Sequence, residues 1–121
     1  MAFLPHLQAV VQQVSGAIAC GVMGFDGISV ENYQAPNTTD DLELSIAWVE
    51  FANLLGQLQK AAEPLKTGAV TEVNINTDRV LTVMRLLSPE YFIVLALTPE
   101  GNFGKGRYAL RLAMPKVKAE L

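Results

Sequence analysis

The chain has 121 residues, half of them apolar and 17% charged, with a formal charge of −3, one cysteine and one histidine. This composition excludes a disordered chain, and the length suits one domain able to bury roughly two-thirds of its unfolded surface without disulfides. The acidic balance, with Lys and Glu mixed near the C-terminus, leaves no basic stripe for a phosphate backbone and argues against nucleic acid as a partner.

Phe3, Leu7, Val10 and Val14, with Leu4 and Val11 alongside, predict a short amphipathic first helix that ends before Gly16. Gln8, Gln12 and Gln13 punctuate it at helical spacing and no basic region precedes it, so it does not read as a signal peptide. No segment approaches the roughly twenty apolar residues of a membrane helix. The expectation is a cytoplasmic chain without membrane insertion. Ala17 to Met23 is a run of small and β-branched residues, Phe25-Asp26-Gly27 has the chemistry of a tight turn, and Ile28 to Tyr33 alternates, which together predict a β-hairpin. Gln34 to Thr39, with Pro36 and Asn37, reads as a loop delivering Thr39 or Asp40 as a helix N-cap, with Glu43 one turn later.

From Asp40 to Lys66 the pattern predicts a long helix with apolar residues on more of its circumference than one small core covers. Leu44, Trp48, Phe51, Leu55, Leu58, Ala62 and Leu65 form one row for the chain's own sheet. Leu42, Ile46 and Val49 begin a second row, continued by Ala52 and Gly56, whose small side chains allow a partner helix to approach closely. Self-association is the functional expectation from this segment. The helix is expected to kink or end between Pro64 and Gly68. Val70 to Ile75 and Val80 to Leu87 then predict a second hairpin about Asn76-Thr77-Asp78, and Ser88-Pro89-Glu90 turns into a continuous apolar run, Tyr91 to Leu97, expected to be a central strand. Phe103, Tyr108, Leu110, Met114 and Val117 predict a last helix, disturbed at Pro115. The order α-β-β-α-β-β-β-α gives an α+β sandwich, with five antiparallel strands between the long helix on one face and the terminal helices on the other.

The residues offer little for catalysis. Cys20 lies in an apolar run and reads as a buried structural thiol. His6, the one imidazole, has no companion ligand, so no metal site and no Ser/His/Asp arrangement can be assembled around Ser15, Ser29, Ser45 or Ser88. Asp40 and Asp41 complement a helix dipole rather than form an acid/base pair. Gly101 to Gly106 with Lys105 lacks the Lys-Ser/Thr step of a phosphate loop, and Gly104 and Gly106 are read as letting the last helix cross the sheet closely. Arg79, Arg85, Lys105, Arg107 and Arg111 are each read as part of a solvated face sooner than as a pairing site for a partner's acids. At the first hairpin, Phe25 and Ile28 bracket Asp26-Gly27, and two readings stand side by side. The pair anchors in a partner's pocket with Asp26 setting orientation, or Phe25 folds back under the first helix and Asp26 serves the turn.

The hairpin Gly21-Val22-Met23-Gly24-Phe25-Asp26-Gly27-Ile28-Ser29-Val30, the long central helix, and Gly101-Asn102-Phe103-Gly104-Lys105-Gly106-Arg107-Tyr108 at the start of the last helix resemble the roadblock/LC7 family. Within it they resemble the bacterial MglB/MglC type that works with a Ras-like polarity GTPase, the hairpin and C-terminal stretch leaning toward MglC. The resemblance implies a homodimer with antiparallel central helices and edge strands near Val70 to Ile75 joining two sheets. It also implies a non-enzymatic adaptor that binds an MglB-like roadblock paralogue or a Ras-like small GTPase, with no cofactor. It tips the hairpin toward partner binding through Phe25, Asp26 and Ile28, and it agrees with the reading, from spacing, of Trp48, Phe51, Ala52, Leu55, Gly56 and Leu58 as the core or dimer faces of the central helix. Two rivals are a direct GTPase-activating subunit and a small-molecule sensor of PAS-like fold, the latter needing an apolar cavity of roughly 300 Å³ or more, with Asn74 and Asn76 as its main polar candidates.

Overall fold

The computed structural model describes residues 2–36, 38 and 41–121. In chain order it contains α1 (Phe3–Gln13), β1 (Ala17–Gly24), β2 (Ser29–Gln34), α2 (Leu44–Ala62), β3 (Glu72–Asn76), β4 (Leu81–Leu86), β5 (Tyr91–Leu97) and α3 (Phe103–Lys118). The strands form one antiparallel five-stranded sheet in the order β2-β1-β5-β4-β3. The order of elements and the central place of β5 are those expected from the apolar pattern.

Alternation along each strand sends side chains to two separate cores. Cys20, Val22, Val83, Ile93, Leu95 and Leu97 face α1 and α3, where Phe3, Leu7, Val10, Leu110 and Val117 close over them. Ile18, Ala19, Met23, Met84, Phe92, Val94 and Ala96 face α2 through Trp48, Ala52 and Leu55. The long helix therefore covers one face and the terminal helices the other. α1 and α3 run antiparallel: the Asn102 N–H donates to Ser15 O at 2.9 Å at one end, and the Ala2 N–H to Glu120 Oε2 at 3.0 Å at the other.

The central helix is shorter than its sequence pattern. It starts at Leu44 because Glu43 takes a left-handed conformation, φ 47° and ψ 53°, which a right-handed helix cannot propagate. It stops at Ala62 because Pro64 has no N–H to give Lys60 O and its ring would strike that carbonyl. The expected capping residues Thr39 and Asp40 lie outside the described residues. At the last helix the Asn102 side chain caps the start by accepting the Lys105 N–H at 3.1 Å, and the helix runs through Pro115 to Lys118. Gly106 permits the close crossing, since a Cβ there would sit 3.1 Å from Leu97 Cδ2 and 3.2 Å from Leu95 Cδ2. Gly104 has no such role: it is exposed, and a Cβ would meet only Asn102 Oδ1 at 4.0 Å.

Candidate functional site

The β1–β2 hairpin is closed by Gly24 N–H to Ile28 O at 2.9 Å, and the Asp26 carboxylate accepts the Ile28 N–H at 3.0 Å. Asp26 thus shapes the turn while remaining exposed. Phe25 is only partly available. Its N–H donates to Glu90 O at 3.0 Å, and its ring lies 5.3 Å from that of Phe92, on the α2 face of the sheet. The fold-back reading of Phe25 is corrected in direction, because α1 lies on the opposite face. Ile28 is the free member of the trio, 65% exposed, with Val30 beside it at 37%.

Around α2, the buried positions are Trp48, Ala52 and Leu55. Ala52 therefore faces the sheet and does not continue an outward row with Gly56. A Cβ on Gly21 of β1 would come within 2.6 Å of Trp48 Cζ3, so the glycine makes room for the indole on the sheet. Two flanks remain. Val49 faces the hairpin, since its Cγ1 would be 3.4 Å from a Cβ on Gly27, and it borders a groove with Ser29, Asn32 and Gln34 of β2. On the opposite flank Ala47, Phe51, Leu54 and Leu58 follow steps of four and three, with Leu54 45% and Leu58 43% exposed. Leu54 belongs to neither row read from the sequence, although its spacing is visible there once Ala47 is counted as apolar. Ile46, 60% exposed, points outward between the flanks.

β3 is an edge strand, as β2 is. Glu72 ties it down: Oε1 accepts from Arg85 Nη1 at 3.0 Å, and Oε2 from Arg107 Nη2 at 2.7 Å and Nε at 2.9 Å. Arg85 Nε also reaches Met114 Sδ at 2.9 Å, and the Arg107 guanidinium lies 5.9 Å from the Phe103 ring centroid. Arg85, whose side chain is largely shielded, is thus structural, which corrects its reading as solvated, while Arg107 stays half exposed as it pairs with Glu72. Burial alone would push the Glu72 carboxyl up, but hydrogen bonds from Arg107, Asn74 and Arg85 outweigh it and hold the carboxyl below its ordinary value.

Two depressions flank α2. An open cleft of about 600 Å³ lies under its C-terminal end, lined by Gly56, Gln59, Glu63, Leu65, Val70 and Pro89. The groove beside β2 has about 250 Å³ and is bordered by Trp48, whose buried Nε1 has no hydrogen-bond partner among the described residues. Asn74 and Asn76, the polar candidates for a sensor cavity, lie exposed on β3 and line neither. Cys20 is fully buried and its thiol is pushed up by desolvation. Among the described residues no three His, Cys, Asp or Glu stand together as metal ligands would, and no helix is long and apolar enough to cross a membrane.

A sheet of this strand order, with one helix on one face and two on the other, is the roadblock/LC7 scaffold. A roadblock/LC7 domain from Streptomyces avermitilis superposes with a TM-score of 0.79 at 14% identity over 95% of this chain and 93% of its own. The gliding protein MglB of Thermus thermophilus superposes with a TM-score of 0.83 at 15% identity over 98% and 89%. MglC from Myxococcus xanthus is 63% identical over the whole of both chains, with a TM-score of 0.74. The chain belongs to the roadblock/LC7 family, in its MglC branch. No family model matches it, and neither does any curated protein.

Proposed function

We propose that the chain is a cytoplasmic, non-enzymatic homodimeric adaptor, a single roadblock/LC7-like domain that binds an MglB-like roadblock paralogue and through it a Ras-like GTPase module in cell polarity or gliding motility. The observations that carry this reading are the outward apolar surface of α2, where Leu54 and Leu58 are nearly half exposed, and the unpaired edge of β3. Pairing two β3 edges antiparallel about a two-fold axis keeps both α2 helices on one face of the joined sheet, where these flanks meet. Half-exposed leucines in such a row are what a standard interface of about 800 Å² per partner would cover.

The paralogue would dock on the hairpin, with Ile28 as the anchor and Phe25 and Asp26 holding the turn's shape. Family membership at 63% identity to MglC, and the likeness to MglB proteins, support partners of this kind. Dimer mass by light scattering, followed by titration with a purified MglB-like protein, tests both surfaces. A monomer at micromolar concentration removes the α2 assignment, and an Ile28→Ala variant that binds the paralogue unchanged removes the hairpin. The adaptor differs from a direct activator in the GTPase assay: added alone to a Ras-like GTPase, it is expected to leave hydrolysis unchanged.

A further inference from the structure

Helix α3 carries a charge distribution unlike the rest of the molecule. Lys105, Arg107, Arg111, Lys116 and Lys118 are five of the nine Lys and Arg, and none of the twelve acidic residues lies in the helix, leaving a balance of −8 elsewhere. Glu120 falls just beyond the helix, where its carboxylate accepts the Ala2 N–H. Arg107 is held by Glu72. Lys105, Arg111, Lys116 and Lys118 are exposed, and none forms an ion pair among the described residues.

These cations frame an apolar ridge. Gly106, Ala109, Leu110, Ala113 and Val117 take the inner side of α3, which turns Tyr108, Leu112 and Pro115 outward in steps of four and three. Tyr108 is 58% and Leu112 52% exposed. At 100° per residue, Lys105 and Lys116 fall on one side of the ridge and Arg111 and Lys118 on the other. Apolar and aromatic groups flanked by long basic side chains suit the boundary between acyl chains and anionic headgroups, because the stems lie along the apolar region while the charges reach phosphate.

We propose that the outer face of α3 adsorbs peripherally to bilayers containing anionic phospholipid. A lipid surface fits better than an acidic protein because the ridge is the convex side of one helix. A rigid partner would need a matching groove with placed carboxylates, whereas headgroups rearrange around it. The acidic remainder orients the molecule. Asp26 and Glu31 at the hairpin, Glu50 on α2 and Glu63 just past its end are exposed and repelled by the same surface, which leaves the hairpin and α2 free for proteins. The site is complete in one protomer, and a homodimer would present it twice on one side of the joined sheet.

The test is vesicle flotation of the full chain with phosphatidylcholine alone and with phosphatidylcholine mixed with phosphatidylglycerol, at low and high salt. Flotation is expected only with the anionic vesicles and should fade as salt screens the charges. Replacing Arg111, Lys116 and Lys118 together by Glu should lower partitioning by at least roughly a hundredfold, at about fivefold for each cation removed. Tyr108→Ser with Leu112→Ser should weaken it with unchanged circular dichroism, since both side chains are exposed. A folded wild-type chain that ignores anionic vesicles at low salt, or a triple variant that floats equally well, would overturn the proposal. Capture by immobilised polyglutamate with no vesicle binding would overturn it too and assign the ridge to an acidic protein.

Discussion

Truncating Leu54 and Leu58 to alanine is the sharpest perturbation of the proposed dimer. Both are nearly half exposed, at 45% and 43%, and neither belongs to the core facing the sheet. Complete burial of a leucine is worth about 1.5–3 kcal/mol, so the exposed fraction retains roughly 0.7–1.3 kcal/mol to be gained on association. Two residues on each of two protomers, less the Cβ that alanine keeps, give about 2–4 kcal/mol per dimer. That corresponds to a rise in Kd of roughly 30- to 1,000-fold. Sedimentation velocity over a dilution series reads this directly, and a monomeric variant with native circular dichroism is the expected result. Val49→Ala, on the flank toward the hairpin, should change the dimer little. An unchanged Kd for Leu54→Ala with Leu58→Ala, or a larger effect from Val49→Ala, would refute the assignment of the flank.

The other expectations concern the clamp, the hairpin and the cores. Glu72→Gln should cost about 1–3 kcal/mol at pH 7 by weakening charge-assisted bonds to Arg85 and Arg107. Because the folded carboxyl lies below its ordinary value of 4.5, its stabilisation is present above that pH and is lost as pH falls through the folded value, so wild type and variant should converge in urea unfolding under acid conditions. Phe25→Ala should lower the melting temperature through loss of the Phe92 contact while Ile28→Ala should not, which makes Ile28→Ala the cleaner binding variant. Gly21→Ala should destabilise by about 1–3 kcal/mol by overpacking Trp48, visible as a loss of thermal stability. Cys20 should react with a thiol reagent only on unfolding, since it is buried and its thiol is shifted up; rapid labelling of the native protein would contradict that placement.

The order of elements, the layering and the central place of β5 were legible because the unbroken apolar runs Ala17 to Met23 and Tyr91 to Leu97 report strands buried on both faces. The rotation of α2 was less legible. Its apolar residues span most of the circumference, so two rows could be drawn through them, and only the seating of Trp48 over Gly21 fixes Ala52 inward and Leu54 outward. The arginine clamp was hidden for another reason. Glu72, Arg85 and Arg107 are distant in sequence, and nothing local to any one of them signals that β3, β4 and α3 bring them together. At the hairpin, the turn chemistry of Asp26-Gly27 was readable, but whether Phe25 faced a partner or its own core depended on Phe92, a residue from the far end of the chain.

The proposed adaptor is tested most directly by titrating a purified MglB-like roadblock protein with the wild-type chain and with Ile28→Ala, followed by calorimetry and by light scattering of the mixture. Formation of a defined complex from a dimeric wild type, weakened at least tenfold by Ile28→Ala with the dimer intact, is the expected result. No complex with the paralogue, or a complex indifferent to Ile28, would contradict the assignment of the hairpin as its docking surface.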